Sequence, residues 1–188
     1  MTHIASDRSF DYDAQAAVDL LVRNFMATGH NPKPVIWHSL RVGMRLYDVG
    51  FPRHVVIAAL LHDLLEDTAI APHEIATVFG ANILELVRAL TFVPEIPDRI
   101  ARFEDRFERC KAAGPDALAI MVTDFLDNSF FYQPGTGEQH QLFQLQLWMA
   151  RTCLEYVEST ASDPRLASIL RDLRGSLNRL GESVRDQA

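Results

Sequence analysis

The chain has 188 residues, 48% apolar and 23% charged, an ordinary globular composition long enough to bury a core without disulfide or metal staples. A formal net charge of -7 and a pI near 5.4 argue against a general nucleic-acid or anionic-membrane surface, though not against a small phosphorylated ligand met by a metal and a few local cations. Two cysteines, Cys110 and Cys153, are too few for a disulfide framework; residues 1–13 lack an apolar leader core, and no stretch approaches about 18 uninterrupted apolar residues, so a soluble, cytoplasmic protein is expected.

Helical periodicity runs nearly throughout, with no sustained alternation and no internal repeat, which predicts an all-α domain of roughly eight to nine helices. Asp13 is placed to cap a first helix that buries Ala17, Leu20, Leu21, Asn24 and Phe25 and ends near Gly29. Asn31-Pro32-Lys33-Pro34 reads as a turn, followed by a helix over 35–49 that stops at Gly50. Pro52 opens a central helix, and Pro72 opens a short one through Phe79. Ile83, Leu86, Val87 and Leu90 form the apolar stripe of the next. A highly charged helix over 98–111 carries Ile100, Phe103 and Phe107 on one side. The stretch 117–131 is apolar but holds Asp124, Asp127 and Asn128. After the loop Gln133–Gly137, a long helix has Leu142, Leu145, Trp148, Met149 and Cys153 as its expected seam, and a last amphipathic helix spans about 164–180 before a frayed end. Short connections and the lack of a linker predict a single domain over 1–188, with a core at about 31–131 and C-terminal helices at about 137–183.

The stretch that carries chemistry is Leu60-Leu61-His62-Asp63-Leu64-Leu65-Glu66-Asp67-Thr68, four ionisable side chains inside a run that would otherwise be core. Burying such groups is costly without compensation, and a metal ion compensates well. His62 and Asp63 offer an imidazole and a carboxylate, while Glu66 and Asp67 follow one helical turn later on the same side, where they could orient and deprotonate a water. Taken alone, the pair Asp67-Thr68 before Ala71-Pro72 is also what an ordinary solvated helix end looks like. The wider context favours a site. His38 lies in the preceding helix, and Asp124 lies in a later helix that reads as buried. Together His38, His62, Asp63 and Asp124 supply two imidazoles and two carboxylates from three helices, a thiol-free set that suits Mn²⁺ or Fe²⁺, with Zn²⁺, Mg²⁺, Ni²⁺ or Co²⁺ as alternatives.

The pattern His38…His62-Asp63…Asp124 resembles the HD superfamily of metal-dependent phosphohydrolases. The string Ala59–Thr68, with Glu66-Asp67 after the His-Asp pair, resembles more specifically the hydrolase domain of RelA/SpoT stringent-response enzymes and the small alarmone hydrolases. The segment from Phe79-Gly80 to Leu90-Thr91, and Asn128 four residues after Asp124, continue the likeness, which covers about 31–131. The resemblance implies a mononuclear site, typically Mn²⁺, that hydrolyses the 3′-pyrophosphate of (p)ppGpp. In it His38, His62, Asp63 and Asp124 would bind metal, Glu66 and Asp67 would activate water, and Asn128 would contact the ribose.

Departures bear on the substrate. The alarmone hydrolases carry an Arg-Lys loop before the first metal His, where this chain has Gly29-His30-Asn31-Pro32-Lys33-Pro34. They also place a Lys before and an Arg after the last metal Asp, where this chain has Met121 and Phe125. Lys33, Arg41, Arg45, Arg102, Arg106 and Arg109 are the remaining cation candidates, with Lys33 and Arg41 taken as substrate-binding. No synthetase region is expected in this length. A nucleotidase acting on nucleoside monophosphates and a non-catalytic metal- or nucleotide-binding module stay open as alternatives. A di-iron oxygenase would need further His ligands, and neither His73, expected at the surface in a first turn, nor His140 is well placed for that. Trp37, Phe130, Phe131 and Tyr132 read as packing rather than base-stacking groups, and Phe103, Phe107 and the seam of the long helix as core or homodimer interface.

Overall fold

A computed structural model describes residues 8–31 and 33–185. The expectations for residues 1–7, Pro32 and 186–188 lie outside the described residues. Among the described residues every regular element is helical, in agreement with the all-α reading, and no helix is long and apolar enough to cross a membrane. They divide into two units, residues 8–91 and 92–185.

The first unit holds α1 (Arg8–Thr28), α2 (Val35–Asp48), α3 (Arg53–Leu61), the single turn α4 (Leu64–Asp67), α5 (Pro72–Phe79) and α6 (Ala81–Leu90). Its centre is α3, where all seven residues from Val55 to Leu61 are buried. A helix that is apolar on every side has to be surrounded, and α1, α2 and α6 all pack against it. The helix α1 begins earlier than expected, so Asp13 does not cap it; the Asp13 carboxylate instead accepts from Arg53 Nε at 2.5 Å and ties α1 to the start of α3. The approach of α2 to α3 depends on Gly43. A Cβ there would sit 2.6 Å from Leu60 Cδ2, and Leu60 is itself buried.

The second unit holds α7 (Arg99–Ala113), α8 (Pro115–Asn128), α9 (Glu138–Thr160) and α10 (Ala167–Arg185), with 3-10 turns at Ser129–Phe131 and Pro164–Leu166. Asp98 caps α7 by accepting from the Ala101 N–H at 2.8 Å. Gly114, at φ +97°, is the single residue between α7 and α8, and Pro115 follows at a first-turn position that needs no N–H. The helix α8 is this unit's counterpart of α3: every residue from Ala117 to Asp127 is buried, with α7, α9 and α10 packed against it. The buried seam of α9 is Phe143, Leu147, Ala150, Cys153, Leu154 and Val157. The expected seam was rotated, because Leu142 and Trp148 are 38% and 41% exposed. The last helix does not fray at Leu180 but continues to Arg185.

Replacing Gly43 by Val should force α2 away from α3 and destabilise the protein by about 1–3 kcal/mol, the range for overpacking a filled core. The urea midpoint should fall with an unchanged denaturant slope.

Candidate metal centre

The central apolar run is interrupted at the point where its charges begin. His62 and Asp63 lie between α3 and α4, with Asp63 at φ -86° and ψ -7°. The His62 ring packs onto the break: its Nδ1 lies 2.7 Å from the Ala59 carbonyl oxygen. Because a carbonyl only accepts, Nδ1 carries the hydrogen, and in the neutral ring Nε2 keeps a lone pair. That Nε2 faces the His38 Nε2 at 3.2 Å, the two rings meeting edge-on at 63°. His38 is fully buried in the first turns of α2. Asp63 closes the group, its Oδ1 at 3.1 Å from His62 Nε2 and its Oδ2 at 3.6 Å from His38 Nε2.

These spacings suit a divalent ion. Neighbouring ligands about 2.1 Å from an octahedral ion lie about 3 Å apart, and imidazole nitrogen with carboxylate oxygen is a set that first-row metals accept. The group also sits just past the C-terminal end of α3, where the helix dipole favours positive charge.

Lys33 approaches from the loop before α2, its Nζ 3.3 Å from Asp63 Oδ2. Asn31 organises this loop. Its side-chain oxygen accepts from the Lys33 N–H at 3.0 Å, and its amide donates to Asp67 Oδ2 at 2.6 Å. The His30 N–H adds a bond of 3.0 Å to the Asp67 carbonyl. Burial raises the Asp67 carboxyl above the ordinary range; the Asn31 amide pulls the other way, and Asp63 adds a smaller push upward. Glu66 is exposed, and Arg41 is half-buried one turn after His38 on α2.

In the second unit, Asp124 is 4% exposed in α8. Its Oδ1 accepts from the Asn128 amide at 2.6 Å, one helical turn later. Its Oδ2 lies 4.0 Å from Arg106 Nη1. Burial, with Asp124 nearby, pushes the Tyr132 phenol up, so it stays protonated. Cys110 is likewise raised, to about 11, by burial, and Cys153 more so, which leaves both thiols unreactive.

Of the residues singled out from sequence, His38, His62, Asp63 and Lys33 come together in the first unit, with Asp67 held by the same loop; Asp124 and Asn128 pair in the second. Arg102 donates to the Ile96 carbonyl, and Arg109 pairs with Asp105. His73 is exposed in the first turn of α5, as expected, and His140 bonds Pro134 and Gln144. Trp37, Phe130 and Phe131 are not core: they are 59%, 65% and 38% exposed. Two contributors escaped the sequence reading, and a third was only one of six cation candidates. The Ala59 carbonyl has no signature, Asn31 looked like turn punctuation, and Arg106 looked like a surface charge although only 8% of it is exposed.

Comparison with known proteins gives a consistent picture. A family model described as HD domain matches residues 17–117, more than half of the chain. A guanosine-3′,5′-bis(diphosphate) 3′-pyrophosphohydrolase of Aquifex aeolicus is 34% identical over 98 residues, covering 51% of this chain and 14% of that protein, so the chain spans about a seventh of that relative's length. The human enzyme of the same description, MESH1, is 27% identical over 182 residues, covering 92% of this chain and 93% of that one. Among solved structures, a metazoan ortholog of SpoT described as hydrolysing ppGpp superposes with a TM-score of 0.69 at 19% identity, over 86% of this chain and 93% of that one. A Listeria monocytogenes protein superposes at 0.64 with 23% identity, over 76% and 92%. The last two likenesses speak for the fold.

Replacing His38 or His62 by Ala should each weaken the binding of a divalent ion, with Mn²⁺ as the probe, by more than the roughly 10–100-fold that follows loss of a ligand's supporting hydrogen bond. Titration with Mn²⁺, on protein whose helical circular dichroism is unchanged, reads this directly.

Proposed function

The chain belongs to the HD domain family, and from that premise we propose that it is a metal-dependent phosphohydrolase that releases pyrophosphate from the 3′ position of (p)ppGpp or a closely related nucleotide. The observation that carries the reading is the buried His38–His62 pair with the half-buried Asp63 beside it, the His62 ring oriented by the Ala59 carbonyl. The likeness to proteins described as (p)ppGpp 3′-pyrophosphohydrolases supports the choice of substrate, including one matched over nearly its whole length. We propose His38, His62, Asp63 and Asp124 as the metal ligands, with Mn²⁺ as the ion.

When bound, a divalent ion supplies a Lewis acid and lowers the pKa of a water to where it can attack phosphorus near neutral pH. The residues around it have separable tasks. Asp67, kept basic by burial and oriented by the Asn31 amide, accepts the proton of the attacking water. Glu66, exposed one turn from His62, assists by holding that water or relaying its proton to solvent. Lys33 reaches Asp63 on a flexible stem from the loop before α2, so its ammonium is placed to meet phosphate oxygens; Arg41 adds a second positive charge on α2. Asn128, whose amide donates to Asp124, contacts the ribose.

Hydrolysis of ppGpp, pppGpp, GTP and nucleoside monophosphates with Mn²⁺ tests the proposal. Pyrophosphate release from ppGpp that disappears in Asp63→Ala is the expected result. Orthophosphate release from monophosphates alone would instead make the protein a nucleotidase, a reading to which the apolar Met121 and Phe125 lend support. Metal uptake without turnover of any substrate would sink both enzyme readings in favour of a binding module. The variant Asp67→Asn should lose about 10²–10⁴-fold in kcat, the usual worth of a positioned acid–base group, while still binding Mn²⁺.

A further inference from the structure

Arg106 is the most unusual cation in the second unit. Its side chain is 9% exposed, yet its buried Nε meets no hydrogen-bond acceptor among the described residues. The guanidinium lies over the Phe92 ring, 4.1 Å from its centroid, with the Phe125 ring at 5.6 Å. Aromatic faces hold a guanidinium by cation–π attraction but accept nothing from the edge of its plane, where its N–H donors point. Asp124 Oδ2, at 4.0 Å from Nη1, compensates the charge without standing within hydrogen-bond reach. A buried, charged donor left without an acceptor is costly, and an anionic ligand is what would relieve it.

We propose that Arg106 is a phosphate-binding residue: its guanidinium, held between Phe92 and Phe125 beside Asp124, takes up oxygens of the substrate's diphosphate. The proposal rests on the phosphohydrolase reading and deepens it by assigning the cation that makes a diphosphate the preferred ligand. The planar fork of Arg matches two phosphate oxygens at once, which a Lys ammonium does not. The neighbouring arginines are committed elsewhere, Arg102 to the Ile96 carbonyl and Arg109 to Asp105. Positions 121 and 125 of α8 hold Met and Phe, so α8 brings no positive charge beside Asp124; α7 supplies it through Arg106, and the Phe125 ring is part of its seat.

The test uses the full chain loaded with Mn²⁺ and inorganic pyrophosphate as the probe, followed by calorimetric titration. Arg106→Met should bind pyrophosphate about 10–100-fold more weakly, the worth of one or two hydrogen bonds to a charged group, with Mn²⁺ affinity undiminished. For ppGpp hydrolysis the variant should raise KM more than it lowers kcat. Arg106→Lys should recover only part of the affinity; should the Met variant not fold, a Lys variant about tenfold weaker than wild type supports the proposal and one of equal affinity overturns it. Undiminished pyrophosphate binding in Arg106→Met, with any loss confined to stability or Mn²⁺ affinity, would reduce Arg106 to a counter-charge for Asp124 and overturn the proposal. A wild-type chain that takes up no Mn²⁺ fails differently: it brings down the phosphohydrolase reading and this proposal with it.

Discussion

The hydrogen bond between the His62 imidazole and the Ala59 carbonyl is the constraint from which the candidate centre is built. It forms where α3 ends, puts the hydrogen of the His62 ring on Nδ1 and turns Nε2 toward His38 and Asp63. One main-chain oxygen thus orients the ring of a candidate ligand.

Each unit repeats one arrangement around a helix with no exposed side. In the first, α3 delivers His62 and Asp63 at its C-terminal end; in the second, α8 carries Asp124 two turns into a fully buried stretch. Carboxylates survive in such surroundings only with partners. Asp63 has Lys33 and two imidazoles nearby, and Asp124 has Asn128 and Arg106. The polar residues around these acids read as compensation for burial and as equipment for handling phosphate, and the same groups can serve both ends.

Much of this was legible in the chain because it depends on short-range pattern. Helix positions followed from proline, glycine and apolar spacing, and the span Pro72–Phe79 came out as expected. His62-Asp63 stood out because charge inside an apolar run needs a reason. What escaped depends on three-dimensional neighbours. Leu142 and Trp148 are as apolar as Phe143 and Leu147, so the sequence could not say which side of α9 was covered. Trp37 sits beside a buried His and is itself exposed, because adjacent residues on a helix point about 100° apart. Arg106 looked like one more charge on a charged helix, since burial of a guanidinium between two rings, one of them seven residues before α7 begins, leaves no local trace.

The buried run Val55–Leu61 also has a consequence for how the protein can diverge. Each of its side chains has neighbours on every side, so substitutions there change volume before they change chemistry, and close-packed interiors tolerate that poorly. Variation that alters ligand preference is therefore channelled away from the helix that leads into His62 and Asp63. It falls to the loop around Asn31 and Lys33 and to the polar face of α7, which can exchange charge without repacking the interior. A lineage built on this chain would keep the His62-Asp63 pair and vary the charges around it.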